Sequence, residues 1–267
     1  MRRLLIRPGA IGDCVLALPA LEWLKAEYTE VWVPSAVAPL IQFADRVRSI
    51  ASTGIDVLEF GRDDTGIVET LRGFDAIVSW YGSNRPDFRA CIEALGLPCR
   101  FLAALPPEYN RMHAADFFLE RAGGIGPAVP RIDASPVAKG AFAAIHPFSG
   151  SPRKNWPLER FHELAGRLSM PVRWCAGPDD PTLPDAVPFE NLYDLARWLA
   201  SAEVYIGNDS GITHLAAAVG TAVVAIFGPT DPAIWAPRGR HVEIVRGPLN
   251  RLPADLVLAA ALRATTG

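Results

Sequence analysis

The sequence predicts an α/β fold of two doubly wound, Rossmann-like domains in tandem, and three observations carry that prediction. Short apolar or β-branched runs alternate with segments of helical periodicity, the pattern of parallel strands joined by crossover helices. The alternation stops in a stretch dense in glycine and proline between Gly123 and Gly140, then begins again. At 267 residues the chain has length for two domains of ordinary size. The first domain is placed at residues 1–135 and the second at 136–267.

The first strand covers residues 4–7, an apolar run closed by arginine. It leads through Pro8-Gly9-Ala10-Ile11-Gly12-Asp13, where two glycines and a carboxylate interrupt the apolar pattern, into a helix over 15–28. In that helix Leu18, Leu21, Trp23 and Leu24 are spaced to pack on a sheet. Further strands are read at 31–34, 57–60 and 76–80, with helices over 85–95 and 109–121. In the second domain the order is strand 142–146, helix 158–168, strand 172–176, helix 192–201, strand 204–207, helix 211–219, and strands 222–227 and 242–245. A last helix over 254–264 is able to pack back across the linker onto the first domain. Ligands of such sheets bind beyond the carboxyl ends of the strands. The unusual polar residues fall at those ends, so a cleft with the two domains facing across it is the expected site.

Composition narrows the function classes. Half the residues are apolar and 21% charged, an ordinary globular balance. A net charge of −3 predicts no broad attraction to nucleic acid, and none is expected as a partner. Residues 1–135 hold 14 Lys/Arg against 17 Asp/Glu, although Arg85, Arg89, Arg100 and Arg111 could cluster. The four cysteines form no Cys-x-x-Cys pair and fit buried thiols in a reducing compartment. The five histidines show no metal-ligand spacing, so no metal is expected. Arg7, Pro8, Gly9 and Asp13 break the N-terminal apolar run too early for a signal peptide. The uncharged stretch 210–230 is divided by Gly220 into a helix-like and a β-branched half, which argues against a membrane span. A soluble, cytoplasmic protein is expected. G-x-G-x-x-G, G-x-x-x-x-G-K-[ST] and G-x-S-x-G are all missing, which counts against a classical NAD site, a P-loop and a hydrolase elbow.

Four segments could carry chemistry. In Ile206-Gly207-Asn208-Asp209-Ser210-Gly211-Ile212-Thr213-His214 a strand ends, small and polar residues follow, and an alanine-rich helix starts. Free N–H groups and the helix dipole suit a phosphate there, Ser210 could add a hydroxyl, Gly211 permits close approach, and His214 lies in the first turn. The plainer reading makes Asp209 or Ser210 a helix cap. The loop His146-Pro147-Phe148-Ser149-Gly150-Ser151-Pro152-Arg153-Lys154-Asn155-Trp156-Pro157 offers hydroxyls, backbone and two cations to a diphosphate. Lys154 stands out because lysine occurs only three times, at 25, 139 and 154. Cys175-Ala176-Gly177-Pro178-Asp179-Asp180 places a carboxylate at a strand end, where it could accept from ribose hydroxyls or simply form a turn. The fourth is Asp13, a cap or a reacting group.

In order along the chain, R-P-G-A-I-G-D, H-P-F-S-G-S-P-R-K-N-W-P, and N-D-S-G-I-T-H-L-A-A-A followed by F-G-P-T-D-P resemble the heptosyltransferases, glycosyltransferase family 9. The second-domain motifs are the most specific of these. The resemblance implies a GT-B fold and an inverting, metal-independent transferase of lipopolysaccharide biosynthesis. Its second domain would hold an ADP-sugar, typically ADP-heptose, as donor substrate. Its first would hold a lipopolysaccharide-core, glycan or glycolipid acceptor, with peripheral contact at the cytoplasmic face of the inner membrane. Carried over by position, Asp13 matches the catalytic base. Ser149, Gly150, Lys154, Ser210, Gly211 and His214 match diphosphate ligands. Asp209, with Lys154, matches the donor-sugar contact, and Asp179 or Asp180 falls near an acidic ribose contact. The alternatives weighed against this are another GT-B nucleotide-sugar enzyme of epimerase type, a nucleotide-sugar-binding protein without catalysis, and an oxidoreductase on the same architecture.

Overall fold

The computed structural model describes residues 1–60, 66–109, 111–135 and 137–266. The chain divides into two compact units, Met1–Asn110 with Ala114–Ala128, and Arg111–His113 with Val129–Gly267.

The first unit runs β1 (Arg2–Ile6), α1 (Ile11–Trp23), β2 (Tyr28–Val33), β3 (Arg46–Ser49), α2 (Ile67–Arg72), β4 (Ala76–Ser79), α3 (Pro86–Ala94), β5 (Cys99–Phe101) and α4 (Ala114–Ala122). Its five strands are parallel in the order β3-β2-β1-β4-β5. The chain therefore reverses its direction of winding between β1 and β4, and that crevice is where such sheets take ligands. Leu4, Ile6, Trp32, Ile77, Phe88 and Ile92 form one side of the core. Helix α1 packs against α4 and buries Cys14, Val15, Leu16, Leu18 and Leu21. Trp23, expected among its packing residues, is 58% exposed, because α1 ends there and its indole lies against the turn at Gly124 instead.

One strand reading is corrected. Residues 57–60 are not a strand but the end of a 3₁₀ helix, Ile55–Phe60, which follows Gly54 at φ +74°. Its short apolar run fits either period, and Ile55 and Leu58, three apart, are the residues that reach the core. The helix expected from 109 begins at Ala114.

The second unit runs β6 (Ala143–His146), α5 (Leu158–Ala165), β7 (Val172–Trp174), α6 (Leu192–Ser201), β8 (Val204–Asn208), α7 (Gly211–Ala218), β9 (Ala222–Phe227), α8 (Pro232–Trp235), β10 (Val242–Arg246) and α9 (Ala254–Thr266). The order β10-β9-β8-β6-β7 is again all parallel, with the winding reversal between β6 and β8. Strands β6, β8 and β9 are buried throughout almost their whole length, as near-continuous apolar runs in a sheet covered on both faces. Helix α9 packs on β8, β9, β10 and α5, contributing Val257, Ala260 and Ala261 to the core. Among the described residues no helix is long and apolar enough to cross a membrane.

Candidate active site

The two loops singled out in the second unit converge at its winding reversal. His146 at the end of β6 is in register with Gly207 of β8, so the segments after both strands leave the sheet side by side. Asn208, fully buried, joins them. Its amide nitrogen donates to Pro147 O at 2.7 Å, and its carbonyl oxygen accepts from Trp156 N at 2.9 Å. The motif containing Asn208 was legible, but this stapling role was not, because it depends on a loop 52 residues away.

Lys154 closes a short 3₁₀ turn, Pro152–Lys154, and its Nζ lies 2.8 Å from Asp209 Oδ2. Asp209 is 6% exposed and its own N–H donates to Ile226 O, which fixes the carboxylate beside the start of α7. Ser210 is the N-cap of α7 and accepts from Thr213 N at 3.4 Å. The cap reading therefore holds for Ser210. Its hydroxyl also pairs with Thr213 Oγ1, which is shared with Tyr205 OH and bonded to Asn208 O. Gly211 is the first helical residue, where α7 still has free N–H donors. His214, one turn on, is 6% exposed and its Nδ1 has no hydrogen-bond partner. Burial drives its pKa down to about 4, the Asp209 carboxylate opposing and His113 and Lys154 reinforcing the shift. At neutral pH it is an uncharged imidazole. His113 Nε2 lies 2.8 Å from Ala236 O, just past α8.

Ser149 turns its hydroxyl inward, to Ser151 O at 2.8 Å and Asn155 Oδ1 at 2.7 Å, and so shapes the loop. Gly150 is exposed, and a Cβ built there would meet nothing. The two ribose candidates separate. Asp179 is exposed, whereas Asp180 Oδ2 accepts from His146 Nε2 at 2.9 Å and from Gly177 N at 2.6 Å. Burial pushes the Asp180 carboxyl up, but those bonds and the His146 charge outweigh it and hold it below its ordinary value. Its second oxygen remains available to a ligand. Arg153 faces a cavity of about 720 Å³ lined also by Gly228, Pro229, Arg246 and Leu249, beyond the ends of β9 and β10.

In the first unit Asp13 stands at the winding reversal beside β1. Ala10 is the N-cap of α1, and Asp13, the third helical residue, accepts from Ala10 N at 3.2 Å. It is thus the returning half of a capping box rather than the cap itself. Gly9 has φ +122°, and a Cβ there would come within 3.1 Å of the Asp13 carboxylate, so this turn needs glycine on both counts. Arg85, Arg89 and Arg100, which the sequence suggested could cluster with Arg111, each make a separate contact. Arg85 donates to Tyr81 OH, Arg89 stacks on Phe101 and Arg100 donates to Arg121 O, whereas Arg111 belongs to the other unit. Among the described residues no group of three or more His, Cys, Asp or Glu could hold a metal ion.

Residues 186–256, which include α6, α7 and the Asp209–His214 segment, match glycosyltransferase family 9 (heptosyltransferase). The lipopolysaccharide heptosyltransferase 1 of Escherichia coli O18:K1:H7 is 28% identical over 131 residues, 44% of this chain and 40% of that protein. The sequence match thus spans about two fifths of that curated relative. The structural match is broader. E. coli heptosyltransferase WaaC with ADP aligns at a TM-score of 0.72 and 21% identity, over 99% of this chain and 100% of that one. The glycosyltransferase family 9 structure from Veillonella parvula aligns at 0.76 and 17%, over 99% and 97%. The second unit is thus similar in sequence to glycosyltransferase family 9, the heptosyltransferase family, and the structural matches show that the chain shares the GT-B fold.

Proposed function

We propose that the chain is an inverting glycosyltransferase that moves a sugar, by family precedent heptose, from an ADP-sugar to a lipopolysaccharide-core or related glycan acceptor. It would do so without a bound metal, at the cytoplasmic face of the inner membrane. The observation that carries this reading is the pairing of Lys154 with the buried Asp209 at the start of α7, beside the β6 loop. Leaving diphosphate needs positive charge, and the free N–H groups of α7 with Lys154 supply it in a fixed arrangement. Asp209 and Lys154 would hold the sugar hydroxyls, Ser149, Gly150, Ser210, Gly211 and His214 the diphosphate side, and Asp180 with Asp179 the ribose. The first unit then serves as the acceptor-side domain and the second as the donor-side domain. In the reaction the acceptor oxygen bonds to the anomeric carbon with inversion, its proton passes to Asp13, and the bond to the diphosphate oxygen breaks with ADP carrying the negative charge.

The bond from Ala10 N to Asp13 supports a second reading, nucleotide-sugar binding without transfer, in which Asp13 serves the helix alone. Asp13→Asn separates the two, since an amide oxygen still accepts from Ala10 N but takes no proton. ADP, without added magnesium, is expected to raise the melting temperature, and Lys154→Ala to remove most of that rise. Asp13→Asn should lower kcat by ~10²-fold or more while leaving the ADP effect intact. A melting temperature indifferent to ADP, UDP and GDP would sink the donor-site assignment. Full turnover by Asp13→Asn would leave only its structural role.

A further inference from the structure

The last residue before the Pro8–Asp13 turn is an arginine that the reaction above does not use. Arg7 is 1% exposed at the end of β1, and among the described residues it makes no ion pair. Its Nη2 donates to Asp13 O at 3.0 Å and its Nη1 to Ala104 O, beyond β5, at 2.9 Å. The guanidinium lies 4.5 Å from the Phe118 ring centroid and 5.8 Å from that of Trp80, and its Nε has no partner.

A guanidinium buried without a carboxylate is costly, and aromatic faces and carbonyl oxygens offset that cost only in part. If the task were only to tie β1 to the Ala104 segment, a neutral donor or an apolar side chain would do it at lower cost. Burial accordingly pulls the Arg7 pKa down, with Cys14 and then the Asp13 carboxylate opposing the shift. The turn beneath that carboxylate is otherwise held by the Ala10 N bond, by Cys14 N donating to Ala10 O at 3.1 Å, and by long contacts of 3.8–3.9 Å from the Cys14 thiol to the Arg7, Pro8 and Gly9 carbonyls.

We propose that Arg7 is the positioning residue of Asp13, clamping the first turn of α1 through the Asp13 carbonyl. This rests on the assignment of Asp13 as base. Arg7 touches no reacting atom; it fixes where the base stands, and a misplacement of about 1 Å at a reacting group costs ~10²-fold in rate. The planar fork matters because two carbonyls in different segments are held at once, which a lysine point charge cannot reproduce.

The test uses the full chain with ADP-heptose and a lipopolysaccharide-core glycan, alongside amide exchange at Cys14. Arg7→Met removes the charge and both donors while keeping the stem. Its kcat should fall at least tenfold with donor KM and the ADP melting shift unchanged, and the Cys14 amide should exchange at least tenfold faster. Arg7→Lys should lie between Arg7→Met and the natural protein. In an Asp13→Asn background Arg7→Met should change kcat by less than twofold, since the base it positions is gone. A folded Arg7→Met with unchanged kcat, or an equal loss in both backgrounds, overturns the proposal. If Arg7→Met does not fold, Arg7→Lys decides on the same readouts, and natural kcat in that variant overturns it. If the natural protein transfers no sugar, the transferase reading falls, and Cys14 protection then decides alone: unchanged exchange in Arg7→Met overturns the clamp as well.

Discussion

Single residues in the second unit are tuned by what surrounds them more than by their type. His214 and His146 both end up buried against an aspartate, but only His146 makes a hydrogen bond to its aspartate. For His214 the ordinary value of 6.5 becomes about 4 on folding, chiefly through burial. The unfolded chain therefore takes up a proton at His214 near pH 6.5, and the folded chain only near 4. Stability falls as pH drops through that window and is flat above it. His214→Gln is expected to shrink the decline in melting temperature between pH 6.5 and 4, measured against the natural protein. Asp180, held below its ordinary value by His146, adds a further acid loss that both proteins share. A variant whose decline matches the natural one would show that His214 is protonated in the folded state. The sequence placed His214 in the first turn of a helix, but no spacing of residues reveals that an imidazole is sealed from solvent.

At the scale of elements, the second unit was more legible than the first. Helix α6 and strand β9 were read to their ends, because each is a long run with one clear period bounded by a cap or a glycine. Strands β3 and β5 were missed. Arg46-Val47-Arg48-Ser49 and Cys99-Arg100-Phe101 are short, charged and only partly buried, as edge strands tend to be, so they lack the apolar signature of a strand. The strand-end loops were legible from glycine, serine and lysine at the points where strands stop. What joins them was not, and Asn208 is the case in point. Removing its side chain leaves Trp156 N and Pro147 O without partners in a fully buried place, a cost of about 1–3 kcal/mol for each unsatisfied group. Asn208→Ala is therefore expected to lower stability by about 2–4 kcal/mol in denaturant titration and to weaken ADP binding with it. Loss of ADP binding at unchanged stability would mean that Asn208 acts on the ligand directly.

At the scale of the whole molecule, each unit owns a sheet, a core and a winding reversal, and each reversal carries one of the candidate groups: Asp13 in the first, Lys154 and Asp209 in the second. That duplication followed from the restart of alternation after the glycine- and proline-rich stretch. The path of the chain did not. It enters the second unit for Arg111–His113, returns to the first for Ala114–Ala128, and only then stays in the second. The excursion is anchored by His113 against Ala236 O. Chain beginning at Val129 would thus carry the second sheet and all of the diphosphate candidates but lack His113. Such a fragment should bind ADP more weakly in calorimetry than the full chain, and binding at full strength would assign His113 no part in the site. The wider consequence concerns modularity. No single cut in the polypeptide, by a protease or by recombination between genes, can release both halves intact. An ancestral exchange of one half for another would have to splice at three junctions at once, before residue 111, after residue 113 and after residue 128.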